Sequence, residues 1–128
     1  MVAWNEYKTM ARERGALALE LFVVETTPAG PPDQVKAALA DHLAYQKQLE
    51  ERGVLVLAGP TSDPSGDNMI GAGLVIYRAA TMEEAKVLAD YDPMHLAGAR
   101  TYNLRKWLVN EGSLSLNVGL STGRATLS

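Results

Sequence analysis

The sequence predicts a single α+β domain: a four-stranded antiparallel sheet with two helices on one face. Three observations carry that expectation. The chain has 128 residues, 47% hydrophobic and 21% charged, which is ordinary globular chemistry. Apolar residues alternate with period two in several short segments and recur at helical spacing in others. In chain order the central segments read strand, helix, strand, strand, helix, strand, the split βαβ or ferredoxin-like arrangement.

Residues 4–14 form a short amphipathic helix, with Trp4, Tyr7, Met10 and Ala11 at helical spacing and Gly15 placed to end it. Residues 17–26 form a strand. Leu17, Leu19, Leu21 and Val23 alternate with Ala18, Glu20, Phe22 and Val24, so both faces are apolar and both expect cover. Pro28, Gly30, Pro31 and Pro32 then impose a loop. Asp33 opens a helix that runs to Arg52, with Gly53 as its stop. Its apolar stripe is Val35, Leu39, Leu43 and Leu49, with His42 and Gln46 on or beside it.

Val54 to Ala58 is a compact strand ending at Gly59-Pro60, and Thr61 to Asn68 is a turn-rich loop. A third strand covers about Met69 to Arg78, where Gly71 and Gly73 mark a bulge or a close approach of backbone or ligand. Thr81-Met82-Glu83-Glu84 fits a capping box, and the helix it opens runs to about Tyr91 before Pro93. After Met94–Gly98 comes a fourth strand, Arg100 to Val109. Residues 114–121 alternate and predict a fifth strand. The whole of 1–128 reads as one domain with its core at about 17–109.

In this topology the second sheet face is open. Placing Phe22 and Val24 there makes it too apolar for water, which predicts a partner interface. Two sheets packed face to face in a two-fold homodimer, or a higher homo-oligomer, answer that need. Glu20 is expected to pair with Arg105 across the sheet.

Absences narrow the chemistry. There is no cysteine, so disulfides, thiolate metal sites and cysteine nucleophiles are excluded. A net charge of −3 with no basic cluster argues against nucleic acid. No apolar run is long enough for a membrane helix, and Met1 to Arg14 lacks a signal-peptide core, so the cytoplasm is the expected compartment. Phosphate-loop, zinc-protease and serine-elbow motifs are missing.

Any imidazole chemistry rests on His42 and His95. His42 lies on the core side of the long helix, where histidine serves either as a hydrogen-bonded structural residue or as a general acid/base near neutral pH. Asp92 is either a plain Asp-Pro helix stop or the carboxylate that orients His42 and stabilises its imidazolium. Helices side by side on one face would let the two meet; spacing leaves the alternatives open. Asp92 and His95 together are too few ligands for zinc, and no metal site is expected.

His42, Ala58-Gly59-Pro60, Asp92-Pro93 and Ala97-Gly98 occur in order on matching elements, and with them the chain resembles the YCII-related (YciI-like) family from about Leu19 to Trp107. The resemblance implies a ferredoxin-like α+β fold, a dimeric α+β barrel and a cleft built around a His–Asp pair. Met94 stands where an aromatic often follows the Asp-Pro of that family. A dehydrochlorinase of aromatic degradation belongs to the family, and muconolactone isomerases share its fold. The implied function is a cofactor-free lyase or isomerase acting on a small organic, aromatic-derived substrate. His42 and Asp92 are the catalytic candidates; Tyr45, Gly59, Pro60, Met94 and His95 are the substrate-binding candidates. The alternative is a non-catalytic dimer that binds a small molecule, or acts as a sensor, through the same cleft.

Overall fold

Alternation along the strands decides which side chains are buried. The computed structural model describes all 128 residues. Its elements are α1 (Trp4–Glu13), β1 (Leu19–Pro28), α2 (Pro32–Glu51), β2 (Leu55–Ser62), β3 (Met69–Tyr77), α3 (Met82–Asp90), α4 (Pro93–Leu96), β4 (Arg100–Val109), β5 (Leu116–Val118) and β6 (Ala125–Leu127). Two compact units result: Glu20–Trp107, and Met1–Leu19 together with Leu108–Ser128.

The larger unit holds the four-stranded sheet, in the order β2-β3-β1-β4. This order of neighbours is consistent with a ferredoxin-like fold. β1 runs antiparallel to β3, with Phe22 opposite Tyr77, Val24 opposite Val75 and Thr26 opposite Gly73. Opposed residues share a face. Phe22, Val24, Val75 and Tyr77 therefore line one side, and they pack with Leu49 of α2 and Ala85 and Ala89 of α3. Both helices lie on that side. Phe22, Tyr77 and Leu49 are fully buried; Phe22 and Leu49 each contribute about 1.5–3 kcal/mol by removal from water.

This arrangement corrects one expectation. Phe22 and Val24 do not face outward; the register puts them under the helices. The opposite face carries Val23, Glu25, Leu74 and Ile76 of β1 and β3, with Leu57 of β2 opposite Ile76. Leu57, Leu74 and Trp107 are exposed. A strand apolar on both sides does not reveal from its sequence which side meets the helices.

Other boundaries moved for local reasons. β2 continues through Gly59-Pro60 to Ser62, because it is an edge strand and an edge tolerates the missing proline N–H. β1 begins at Leu19, after Ala18 takes a φ of +49° that interrupts extended backbone. Thr81 caps α3 by accepting from the Glu84 N–H at 3.1 Å, while the Glu84 carboxylate reaches back to the Ala80 N–H at 2.9 Å. Glu20 pairs with Lys106 at 3.9 Å, and Arg105 pairs with Glu25 at 3.6 Å. The expected Glu20–Arg105 pair fails because alternation sends those two side chains to opposite faces.

In the smaller unit, Ala11 of α1 packs with Ala18 and Leu108, flanked by Trp4 and Ala16. Within the expected strand at 114–121, Leu116–Val118 form β5, which pairs antiparallel with β6, Leu116 opposite Leu127. No helix of the chain is long and apolar enough to cross a membrane.

Candidate active site

The site begins with a helix cap. Asp92 is the N-cap of α4, its Oδ1 accepting the Met94 N–H at 2.9 Å, and Pro93 occupies the first helical position. Asp-Pro at this junction is thus a local structural signal: the carboxylate satisfies an orphan N–H and the proline lacks one. The Asp92 side chain is only 1% exposed. A buried carboxylate needs strong hydrogen bonds, and the second comes from α2. His42 Nδ1 lies 2.8 Å from Oδ1 and 2.9 Å from Oδ2.

That contact sets the tautomer. An ionised carboxylate only accepts, so in the neutral ring the hydrogen sits on His42 Nδ1 and the lone pair on Nε2. Nε2 has no hydrogen-bond partner in the chain, and His42, 17% exposed, lines a cleft of about 320 Å³. A base held by a carboxylate on one nitrogen and open to a cleft on the other can take a proton from a bound molecule.

One cleft wall is α2, with Val35, Leu39, His42, Leu43 and Gln46; the other is the β2–β3 edge, with Ala58, Gly59, Pro60, Met69 and residues 71–75; Thr26, Met94 and Arg100 complete the lining. The helix stripe that reads as core from the sequence is divided. Leu49 is buried, whereas Leu39 and Leu43 are exposed along the cleft. Gly73 brings the β-edge close: a Cβ there would lie 3.0 Å from the Gly59 carbonyl oxygen. Gly71 has φ +87°, and a Cβ there would meet Pro28 Cγ at 2.8 Å, so this turn of β3 requires glycine.

His42, Gly59, Pro60 and Met94 all line this cleft, with Asp92 behind His42. Tyr45 and His95 do not. The Tyr45 hydroxyl donates to the Leu88 carbonyl at 2.7 Å, and its ring packs against the core. Burial, and then the charge of Asp92, push its phenol up. Tyr77, fully buried, is pushed up by the same two causes. His95 is spent on both sides, with Nδ1 2.7 Å from the Ala89 carbonyl and Nε2 2.9 Å from Thr26 Oγ1. Thr26 and Arg100 are among the cleft residues that the sequence does not single out. The signal was available: Thr26 continues the alternation of Phe22 and Val24, and Arg100 that of Tyr102 and Leu104, so both fall on the helix-covered face.

A small α+β protein of split βαβ topology, with a carboxylate-backed histidine in the wall of a mostly apolar cleft, is the class these observations define. The signature of the YCII-related domain matches residues 18–108. The chain belongs to the YCII-related family. Among solved structures it is similar to 5-chloro-2-hydroxyhydroquinone dehydrochlorinase (TftG) from Burkholderia phenoliruptrix AC1100, in complex with 2,5-dihydroxybenzoquinone. That similarity has a TM-score of 0.55 at 22% identity and covers 68% of this chain and 92% of the other. It establishes likeness of fold. No curated protein matches the sequence.

Proposed function

We propose that the protein is a lyase or isomerase that moves a proton on a small, aromatic-derived substrate, with His42 as the base and Asp92 as the residue that positions it. The carrying observation is the His42–Asp92 contact with Nε2 left free at the cleft. In an elimination, Nε2 takes a proton from a carbon next to a carbonyl. The released electron pair forms a C=C bond, and a leaving group such as chloride departs with its own pair. In an isomerisation the same proton returns to a different carbon. Neither step changes the overall oxidation state. Asp92 keeps Nδ1–H in place and offsets the imidazolium charge as it forms. The dehydrochlorinase with a similar fold supports elimination as the first reaction to test.

The test offers 5-chloro-2-hydroxyhydroquinone and small unsaturated lactones to the protein, following chloride release and uptake of solvent deuterium. Turnover is expected with the native protein and background rates with His42→Ala. Turnover that survives His42→Ala, or ligand binding with no turnover of any of these compounds, overturns the reading; the latter result is that of a binding module.

The same reading includes a homodimer formed through the open sheet face. The exposed Leu57, Leu74 and Trp107 support it, since water-facing apolar patches normally have partners. Sedimentation equilibrium of the native chain and of Trp107→Glu measures it; a monomer at micromolar concentration removes it.

A further inference from the structure

We propose that Arg100 is an anion-recognising residue of the cleft, and that the molecule bound beside His42 carries a carboxylate or another anionic oxygen that pairs with its guanidinium. The inference deepens the acid–base reading of the same cleft and rests on it for the reaction, though not for the binding.

Arg100 is held by three acceptors, none of them charged. Its Nε donates to Thr26 Oγ1 at 3.0 Å, and its Nη2 donates to the Thr26 carbonyl at 3.1 Å and to the Gly71 carbonyl. Nη1 is left with two N–H groups and no acceptor in the chain. Arg100 makes no ion pair. The groups that share the cleft lining with it are aliphatic side chains, backbone, Thr26, Gln46 and His42, and no carboxylate is among them. Burial pulls the guanidinium down from its ordinary range, and the charge of Asp92 partly restores it. Asp92 itself is turned toward His42 and Met94.

A half-buried cation costs free energy unless an anion or hydrogen bonds compensate it. The fold here does not merely tolerate the guanidinium but fixes its plane. The clamp extends one residue further. The Ala89 carbonyl can only accept, so His95 Nδ1 donates to it. In the neutral ring His95 Nε2 then accepts the Thr26 hydroxyl hydrogen. Thr26 Oγ1 is thereby turned to accept from Arg100 Nε. Gly71, whose left-handed φ of +87° strains any residue with a side chain, aims its carbonyl at Nη2. Four residues thus orient one guanidinium with its remaining N–H groups free. A guanidinium presented in this way recognises the planar oxygen pair of a carboxylate, or a phenolate or enolate oxygen. On the proton-transfer reading, it also stabilises the negative oxygen that forms when His42 removes a proton beside a carbonyl.

The probes are benzoate, phenylacetate and 3-phenylpropionate, each against its own uncharged amide, with binding measured by calorimetry on the full chain. Each pair has nearly the same shape and differs in charge. The native protein is expected to bind at least one acid about tenfold or more tightly than its amide. Arg100→Gln is expected to erase that preference while leaving amide binding within about twofold, and Arg100→Lys to restore part of it. Equal affinity for every acid and amide in the native protein, no saturable binding of any acid, or a preference that persists in Arg100→Gln each overturns the proposal. His42→Ala separates the two readings. Acid preference retained in His42→Ala supports Arg100 whatever becomes of the proton-transfer chemistry. Turnover in a native protein without acid preference sustains the reaction and overturns the role of Arg100.

Discussion

Replacing Asp92 tests whether one carboxylate serves both the fold and the base. Asp92→Ala removes the cap on Met94 N–H, worth about 1 kcal/mol. It also removes the hydrogen bond from His42. Both carboxylate oxygens share one Nδ1–H at 2.8 and 2.9 Å, so this counts as a single charge-assisted bond of about 1.5–3 kcal/mol. His42 keeps some contact with water, which favours the lower end. The expected loss is about 3 kcal/mol, a large part of the roughly 5–15 kcal/mol that holds a small domain together. Asp92→Asn separates the two roles. Its amide oxygen still caps Met94, and its NH₂ donates to Nδ1. The ring hydrogen then moves to Nε2, the nitrogen that faces the cleft. A stability loss of about 1 kcal/mol is expected, together with a loss of turnover of about a hundredfold or more. Urea denaturation measures the first effect. With a slope of about 1–3 kcal/mol per molar urea, the midpoint falls by roughly 1.5 M for Ala and about 0.5 M for Asn. An Asn variant as unstable as Ala, or an Ala variant within about 1 kcal/mol of native, would refute the account of the site. Normal turnover in Asp92→Asn would refute the tautomer argument.

Two further outcomes follow from local geometry. Gly71→Ala forces a Cβ into a left-handed conformation and against Pro28; a loss of about 2 kcal/mol, lowering the melting temperature by roughly 5–10 °C, is expected in a thermal scan, and an unchanged melting temperature would exclude the strained turn. Burial first, and then its hydrogen bond to Asp90, push the Tyr102 phenol up to about 12. The folded state therefore holds this proton more tightly than the unfolded state. The contribution is complete below the ordinary phenol range and is lost as pH rises through about 12. Ultraviolet titration of the native protein against Tyr102→Phe should show the missing late-titrating phenol; identical curves would contradict the hydrogen bond.

Much of the larger unit was legible because its signals are local. Thr81 and Glu84 announce the start of α3, Asp92-Pro93 a capped stop, and the alternation from Arg100 to Val109 a strand, each through interactions within a few residues. What is not legible depends on contacts between segments distant along the chain. The face of Phe22 and Val24 is ambiguous because β1 is apolar on both sides, and only pairing with Tyr77 and Val75 distinguishes them. The stripe on α2 reads as core throughout, yet Leu39 and Leu43 border a cleft whose other wall, residues 58–60 and 71–75, comes from later strands. In the tail β5 is legible, whereas its partner, Ala125–Leu127, is too short to stand out.

By itself the sequence determined the chemical repertoire: no thiol, two imidazoles, and a helix that places His42 in phase with apolar neighbours. It also determined the cap at Asp92, since that interaction reaches only two residues along the chain. Tertiary structure alone decided that this cap and His42, fifty positions apart, share a proton, and that Thr26, Gly71, His95 and Arg100 meet at one guanidinium. Hydrogen bonds act over about 3 Å, and which residues come that close depends on strand register and helix placement that no local pattern encodes.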